Sequence, residues 1–366
     1  MAITRLGPNQ DITAAKIAGT INFKNIIING DMSIAQRGTS ATGLGNGDNG
    51  YHTCDRWRFG ESGSPTCEFT QSQSTDVPTG QGFAYSLKYE CTLADASLAS
   101  TDLIRLQQRI EGQNLQYLKK GTSSAESLTV SFWVKSSKTG TYTLEIQDQD
   151  NSRINAKTYT IDSASTWEKK TITFDGDTTG TLNNDNELSL QIHWTLVAGT
   201  DFTSDTFSNG IWETLVDANR VSSSQVNLAD STSNEWYITG VQLEADTSAS
   251  DFEFLPYDVN LQRCERYTRR LGDGLWGKAS STTNMTIQCP FFSPMRATPS
   301  ISAIASAIKT SDVTAADYTS SAGISGANIN AYGARLNCSS FSGLTSANMY
   351  ILYDNSSYIA LIDAEL

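Results

Sequence analysis

Apolar and polar residues alternate at period two so persistently between residues 25 and 257 that the chain has little choice but to fold as all-β. Leu128, Val130, Phe132 and Val134 alternate with Thr129, Ser131, Trp133 and Lys135, and Tyr142, Leu144 and Ile146 alternate with Thr143, Glu145 and Gln147. Leu188, Leu190, Ile192, Trp194 and Leu196 stand opposite Ser189, Gln191 and His193, and Phe83, Tyr85, Leu87 and Tyr89 make an earlier row. Successive side chains of a strand point to opposite faces, so each apolar row is the buried face of a sheet. Two antiparallel sheets packed face to face bury all of these rows. Turn chemistry separates them: SSKTG before Thr141, DQDNS at 148–152, DGDTTG at 175–180 and NNDN at 183–186. The principal helical candidate inside the run is EGQNLQYLKKG at 111–121, in which Leu115 and Leu118 share a face.

After Pro256 the period changes. Leu261, Cys264, then Tyr267 or Thr268, and Leu271 fall three to four residues apart, with Asp258 as N-cap and Gly272 as stop, which predicts a short linking helix over 258–271. It carries Arg263, Arg266, Arg269 and Arg270 against a single Glu265. A solvated face is the ordinary reading of such a run. On an acidic chain, ion-paired packing against the sandwich or a neighbouring subunit is the other, and Arg263, Arg266, Tyr267, Arg269 and Arg270 are the candidates for an oligomer interface. Residues 272–366 form a smaller C-terminal β domain, with strands expected in NMTIQCPFF, PSISAIAS, ANINAYGARLNCSS, NMYILYD and SYIALIDAEL. Its Ala, Ser and Gly content predicts thin strands that lean on neighbours or gain a core by oligomerising. Ahead of the sandwich, residues 1–24 carry too few apolar side chains for a core and read as a flexible tail or as an element that orders on a partner.

With 26 Lys and Arg against 39 Asp and Glu, the net charge of −13 disfavours a broad phosphate-neutralising surface, so no nucleic-acid partner is expected. MAITRLGPNQ lacks an apolar signal core, and no run approaches the roughly 18 apolar residues of a membrane span, so a soluble, unprocessed chain without membrane insertion is expected. The six cysteines are scattered without ligand spacing and read as buried thiols, although Cys54 and Cys67 are close enough in sequence to bridge a loop. With His52 and His193 the only imidazoles, no zinc or copper site is expected. GNGDNG at 45–50 has the glycine spacing of a dinucleotide loop but neither the strand before it nor the helix after it, and reads as an exposed loop. Asp148, Asp150 and Ser152 resemble the start of a calcium loop, yet Arg153 stands where Gly is needed. DGDTTG and NNDN still offer oxygen ligands for a structural calcium; no other cofactor is expected. Neither GxSxG nor HExxH occurs, and the many carboxylates select no pair, so the chain is not expected to be an enzyme.

Two phrases bracket the sandwich. NIIINGDMSIAQRG begins at Asn25 and leads to DRWRF at 55–59, while WYITGVQLEADTSASDFEFLPY begins at Trp236 and runs into DVNLQRCERYTRRL. Together they resemble the jelly-roll module of fibre-like and tail-associated structural proteins of bacteriophages, especially marine and cyanobacterial ones, over residues 23–271. The resemblance implies a jelly-roll sandwich like that of carbohydrate-binding modules, on the exterior of a virion as a tail or capsid appendage. It further implies attachment to other virion proteins through 1–24, assembly as a homotrimer, and contact with a host surface glycan. Capsid or tail decoration without ligand recognition is the alternative, and a surface-glycan depolymerase the third reading.

For the glycan, alternation turns Trp133 away from its apolar row, as it does Glu145, Gln147, Gln191 and His193. An indole flanked by such groups suits a sugar ring and its hydroxyls. The competing reading buries Trp133 beneath the long segment 198–230. Trp212, in SNGIWETLV, is a second exposed candidate, whereas Trp57, Trp167 and Trp236 read as core.

Overall fold

The computed structural model describes residues 23–272, 274–303, 308–312, 317–320, 324–353 and 358–366. The attachment segment expected over 1–24 lies outside the described residues except for Phe23 and Lys24, as do residues 304–306 of PSISAIAS.

The sandwich consists of β1 (Ser40–Leu44), β2 (Gly50–Tyr51), β3 (Arg58–Ser62), β4 (Glu68–Ser74), β5 (Ser86–Leu93), β6 (Leu103–Glu111), β7 (Leu128–Ser136), β8 (Gly140–Asp148), β9 (Arg153–Ile161), β10 (Glu168–Phe174), β11 (Leu188–Ala198), β12 (Glu213–Thr214) and β13 (Glu235–Ala245). A six-stranded sheet, β1-β4-β5-β13-β7-β10, faces a seven-stranded sheet, β12-β9-β8-β11-β6-β3-β2. All pairings in both are antiparallel, and the whole is the expected jelly-roll sandwich. The alternating rows meet where the sequence puts them: Val130, Phe132 and Val134 of β7, Leu144 and Ile146 of β8, and Ile192 and Trp194 of β11 are fully buried. Trp194 presents an edge to both Trp57 and Phe132 at 5.7 Å between centroids, the geometry that the ring quadrupoles favour.

Two local expectations differ from the structure. β5 begins only at Ser86, so Phe83 leaves its row and packs on Phe252 and Phe254, each 5.1 Å away. Residues 111–121 form two 3₁₀ turns, Gly112–Asn114 and Gln116–Leu118, in place of an α-helix. Lys119, at φ 52°, ends the second turn by entering the left-handed region. Leu115 and Leu118 are buried nonetheless, which is what their shared face required.

The two bracketing phrases are bonded to each other. The Asn25 side chain accepts from the amides of Ile27 (3.0 Å) and Leu243 (3.1 Å) and donates to the Val241 carbonyl (3.1 Å). Val241 N–H in turn donates to the Gly30 carbonyl at 2.9 Å. A Cβ on Gly30 would stand 2.1 Å from the Val241 oxygen, so the approach admits glycine alone.

The linking helix α1 spans Tyr257–Glu265, shorter than the expected 258–271. Asp258 lies in its first turn, while Pro256 occupies the cap position. The remainder, Thr268–Gly272, is β14, which pairs with β23 (Tyr358–Asp363). Helical spacing of Leu261, Cys264 and Leu271 is satisfied equally by a helix followed by a strand, and the ladder to β23 supplies bonds that local spacing cannot reveal. Between them lie β15 (Leu275–Ala279), β16 (Met285–Pro290), β17 (Ser300–Ala303), β18 (Ile308–Ser311), β19 (Asp317–Ser320), β20 (Ile324–Asn330), β21 (Gly333–Cys338) and β22 (Met349–Tyr353). They form a three-stranded sheet, β14-β23-β17, and a seven-stranded one, β19-β18-β22-β15-β16-β21-β20. Met285, Ile287, Leu336, Tyr350, Leu352, Ile359 and Ile362 give this unit a core of its own, so its thin strands do not by themselves require a partner. The six cysteines are buried and unbridged. No helix among the described residues is long and apolar enough to cross a membrane.

Trp194→Ala should destabilise the protein by about 3–5 kcal/mol, the usual range for deleting a fully buried large aromatic. Trp133→Ala, on a half-buried outward position, should cost under about 1 kcal/mol. Urea melts of both variants check the difference.

Candidate functional site

Strand alternation does bring four of the expected glycan-binding residues together. Gln191 pairs across from Gln147 and His193 across from Glu145, with Gln191 Nε2 donating to Gln147 Oε1 at 2.7 Å. They form the outer face of the seven-stranded sheet, but that face is closed: all four are buried, Glu145 beneath the segment that follows β11. Arg220 descends from it and donates through Nη2 (2.6 Å) and Nε (3.2 Å) to Glu145. Trp133 belongs to the six-stranded sheet, between Lys169 and Thr239, so it faces the opposite way and shares no patch with them. Alternation separates inward from outward positions without saying which sheet a strand joins. The covering segment was thus expected over the wrong sheet.

The other aromatic assignments divide. Trp57 and Trp236 are core, but Trp167 is half-exposed, its Nε1 donating to Asp76 at 2.9 Å and its ring edge-on to Tyr237. Trp212 is held against the sandwich core, its Nε1 donating to the Asp175 carbonyl at 2.7 Å and Lys120 Nζ lying 5.4 Å above its ring. It is not an exposed anchor. Lys120 Nζ also pairs with the Asp148 (2.5 Å) and Asp177 (2.9 Å) carboxylates, the latter shared with Arg153. Two of the loops that offered calcium ligands therefore converge on an ammonium group, while Asn183 of NNDN bonds to Asp150.

Under Arg220, Glu145 and His193 form a fully buried pair, with His193 Nδ1 2.6 Å from Glu145 Oε1 and Gln107 Nε2 3.3 Å from His193 Nε2. That pattern fits a neutral ring protonated at Nδ1 and accepting at Nε2. Burial, aided by the Arg105 and Arg220 cations and opposed by Glu145, pushes His193 down to about 3. Burial alone would raise the Glu145 carboxyl; Arg220 and His193 more than reverse this and hold it well below the usual carboxylate range.

An opening lies where the end of β6, the 3₁₀ turns, the first residues of the sandwich and α1 meet. It is a cleft of about 580 Å³ lined by Arg56, Arg109, Arg263, Arg266, Gln108, Gln113, Asn114, Tyr117, Tyr267 and Phe23, with Asn25, Ile26, Ile28 and Ile110. Phe23 and Tyr117 are exposed at 53% and 44%, which leaves aromatic surface accessible beside it. Arg266 makes a fork to Glu111 at 2.8 and 2.6 Å, and Tyr267 O–H donates to the same carboxylate at 2.5 Å. Arg263 Nη2 donates to the Asn25 carbonyl at 3.3 Å, and Arg109 Nη1 to the Leu366 main-chain oxygen at 2.8 Å. The expected interface residues are thus turned to their own chain: Tyr267 and Arg269 are buried, with Arg269 bonded to Glu265, and Arg270 stacks on Tyr358. Within this run Arg266 is ion-paired to the sandwich, through Glu111, and Arg269 to Glu265 of its own segment. Arg109, Tyr117 and Gln113 were not singled out from sequence; the signal that pointed to the region was the arginine run on an acidic chain.

Acid should weaken the buried pair. As the pH falls from 6.5 towards 3, the unfolded chain protonates His193 while the folded chain does not, so stability falls by at most about 1.4 kcal/mol per pH unit. Glu145 adds to the loss below its ordinary value of 4.5, where the unfolded carboxyl takes a proton that the folded one refuses. Urea midpoints measured from pH 7 to pH 4 should decline, and His193→Gln should flatten the part of the decline that begins near pH 6.5.

No protein-family model matches the chain, and no curated protein matches it. Among solved structures it is similar to the tailspike protein 4 enzymatically active domain of bacteriophage CBA120, at 13% identity and a TM-score of 0.31 over 61% of this chain. The chain spans 21% of the length of that tailspike chain. It is also similar to TmCBM61, solved with β-1,4-galactotriose, at 10% identity and a TM-score of 0.30, over 61% of this chain and 99% of that one. The family 11 carbohydrate-binding module of a Clostridium thermocellum cellulosomal cellulase is similar at 11% identity and a TM-score of 0.27, over 57% of this chain and 97% of that one.

Proposed function

We propose that this chain is a non-catalytic binding protein of a bacteriophage particle, a fibre or tail appendage that meets the host surface by holding a saccharide in the arginine-lined cleft. The observation that carries the reading is the lining itself. Guanidinium and amide groups donate in fixed planes to hydroxyls, amide oxygens accept from them, and the accessible Tyr117 and Phe23 rings offer faces to a pyranose. A volume of about 580 Å³ lies within the range of small-ligand sites. No Asp or Glu lines the cleft among the described residues, and the proposal is of binding without cleavage. The virion placement rests on the phrases that begin at Asn25 and Trp236, with 1–24 as the attachment segment. A homotrimer would multiply weak single-site contacts into firm adhesion.

Decoration without ligand recognition is the second reading, and one observation favours it. The outer face of the seven-stranded sheet is filled by the chain's own Arg220.

Tyr117→Ala should lower adsorption of the purified chain to host cells about tenfold, with the circular dichroism spectrum unchanged and no release of reducing ends from host polysaccharide. Undiminished adsorption by the folded variant would exclude the cleft as the contact, and released reducing ends would exclude the non-catalytic reading.

A further inference from the structure

The cleft is a local reversal of the chain's charge. The protein carries −13, yet the ionisable lining of the cleft, apart from Tyr117 and Tyr267, is four arginines. Two of these are neutralised within the fold, Arg56 by Glu365 and Arg266 by Glu111. Arg109 and Arg263 have no Asp or Glu side chain within ion-pair distance among the described residues. Each is anchored through one nitrogen to a main-chain oxygen, which fixes the guanidinium and leaves other N–H groups uncommitted. In Arg56 and Arg109 the Nε atom is buried with no protein hydrogen-bond partner.

We infer that the saccharide bound here is an acidic one, and that Arg263 and Arg109 receive its carboxylate while Tyr117 packs on its ring. This rests on the glycan-binding reading and narrows it. A planar carboxylate matches the guanidinium fork in a way that a hydroxyl does not, and charge-assisted bonds of this type are about twice as strong as neutral ones. Two arginines without an Asp or Glu side chain in ion-pair distance suit one or two carboxylates per site, not a densely charged polymer.

The test uses the full chain on an array of uronate- and sialate-containing oligosaccharides, their carboxyl-reduced counterparts, sulfated oligosaccharides and neutral ones. Retention of carboxylate glycans at least tenfold above the reduced counterparts is expected, and it should weaken steeply as salt is raised. Arg263→Gln, with its melting temperature checked, should bring the acidic and reduced ligands to within about twofold of each other. Equal retention of acidic and reduced ligands, both lost in Tyr117→Ala, would overturn this inference and leave the glycan-binding reading standing. Retention of sulfated ligands alone would also overturn it, by assigning the site to another anion. No retention of any saccharide by the native chain would overturn both. The comparison of acidic and reduced ligands is made on the native protein, so it stands even if Arg263→Gln fails to fold.

Discussion

The Arg56 guanidinium, with 1% of its surface exposed, sits where the sandwich meets the C-terminal unit, and the arrangement of both follows from how it is satisfied. It pairs with Glu365 beyond the last strand, donates to the Arg109 carbonyl, and lies 3.4 Å over the Tyr267 ring at the end of α1. Taking such an ion out of water costs several kcal/mol, which only good geometry and further hydrogen bonds offset. Arg37 adds to the same cluster by pairing with Asp363 and Glu365. The junction is thus specific before it is strong: sliding one unit on the other would strand buried charge. The same residue forms part of the cleft, so the candidate site is as rigid as the junction.

The clasp between the two bracketing phrases does comparable work inside the sandwich. Asn25 and Gly30 bring the first residues of the unit onto β13, its last strand, and Asn29 closes the neighbouring turn by bonding to the Ile34 and Asp55 carbonyls. Trp57 Nε1 returns a bond to the Asn29 carbonyl at 2.9 Å. Contacts so distant along the chain carry a large loop-closure entropy, which side chains with several simultaneous backbone bonds are suited to offset. Phe23 and Asn25, held in addition by the Glu253 carboxylate, end up lining the cleft as a consequence.

What the sequence discloses about this protein is mostly its faces. Period-two rows such as Leu128 to Val134 and Leu190 to Trp194 determine which side of each strand is buried, because burial of one face is the dominant energy and alternation is its direct imprint. Pairing between strands leaves no such imprint. Trp133 and His193 are alike in pattern, yet β7 and β11 lie in different sheets, and the outward face of one sheet is capped by a segment whose key residue, Arg220, stands in a stretch without strand periodicity. The strand character of Thr268–Gly272 leaves no local imprint for a related reason: it comes from a partner near the far end of the unit. Arg263 and Arg266 were visible as a charge run, but Arg109 lay hidden in an ordinary polar row of β6, and only the fold sets them on one cleft.

The capped sheet face and the cleft obey a single electrostatic rule with opposite results. Beneath the segment that follows β11, Arg220 meets Glu145 with both partners dehydrated, and the pair is tolerable because each charge has its counter-charge within hydrogen-bond reach. At the cleft, no Asp or Glu side chain of the described residues lies within ion-pair distance of Arg109 or Arg263, and both are only half-buried. A guanidinium left in that condition retains its capacity for a charged fork, whereas Arg220 has already used its own. Recognition by this fold therefore belongs where the ion pairs stop, at the edge of the sandwich beside α1, and not on the broad sheet face that Arg220 closes.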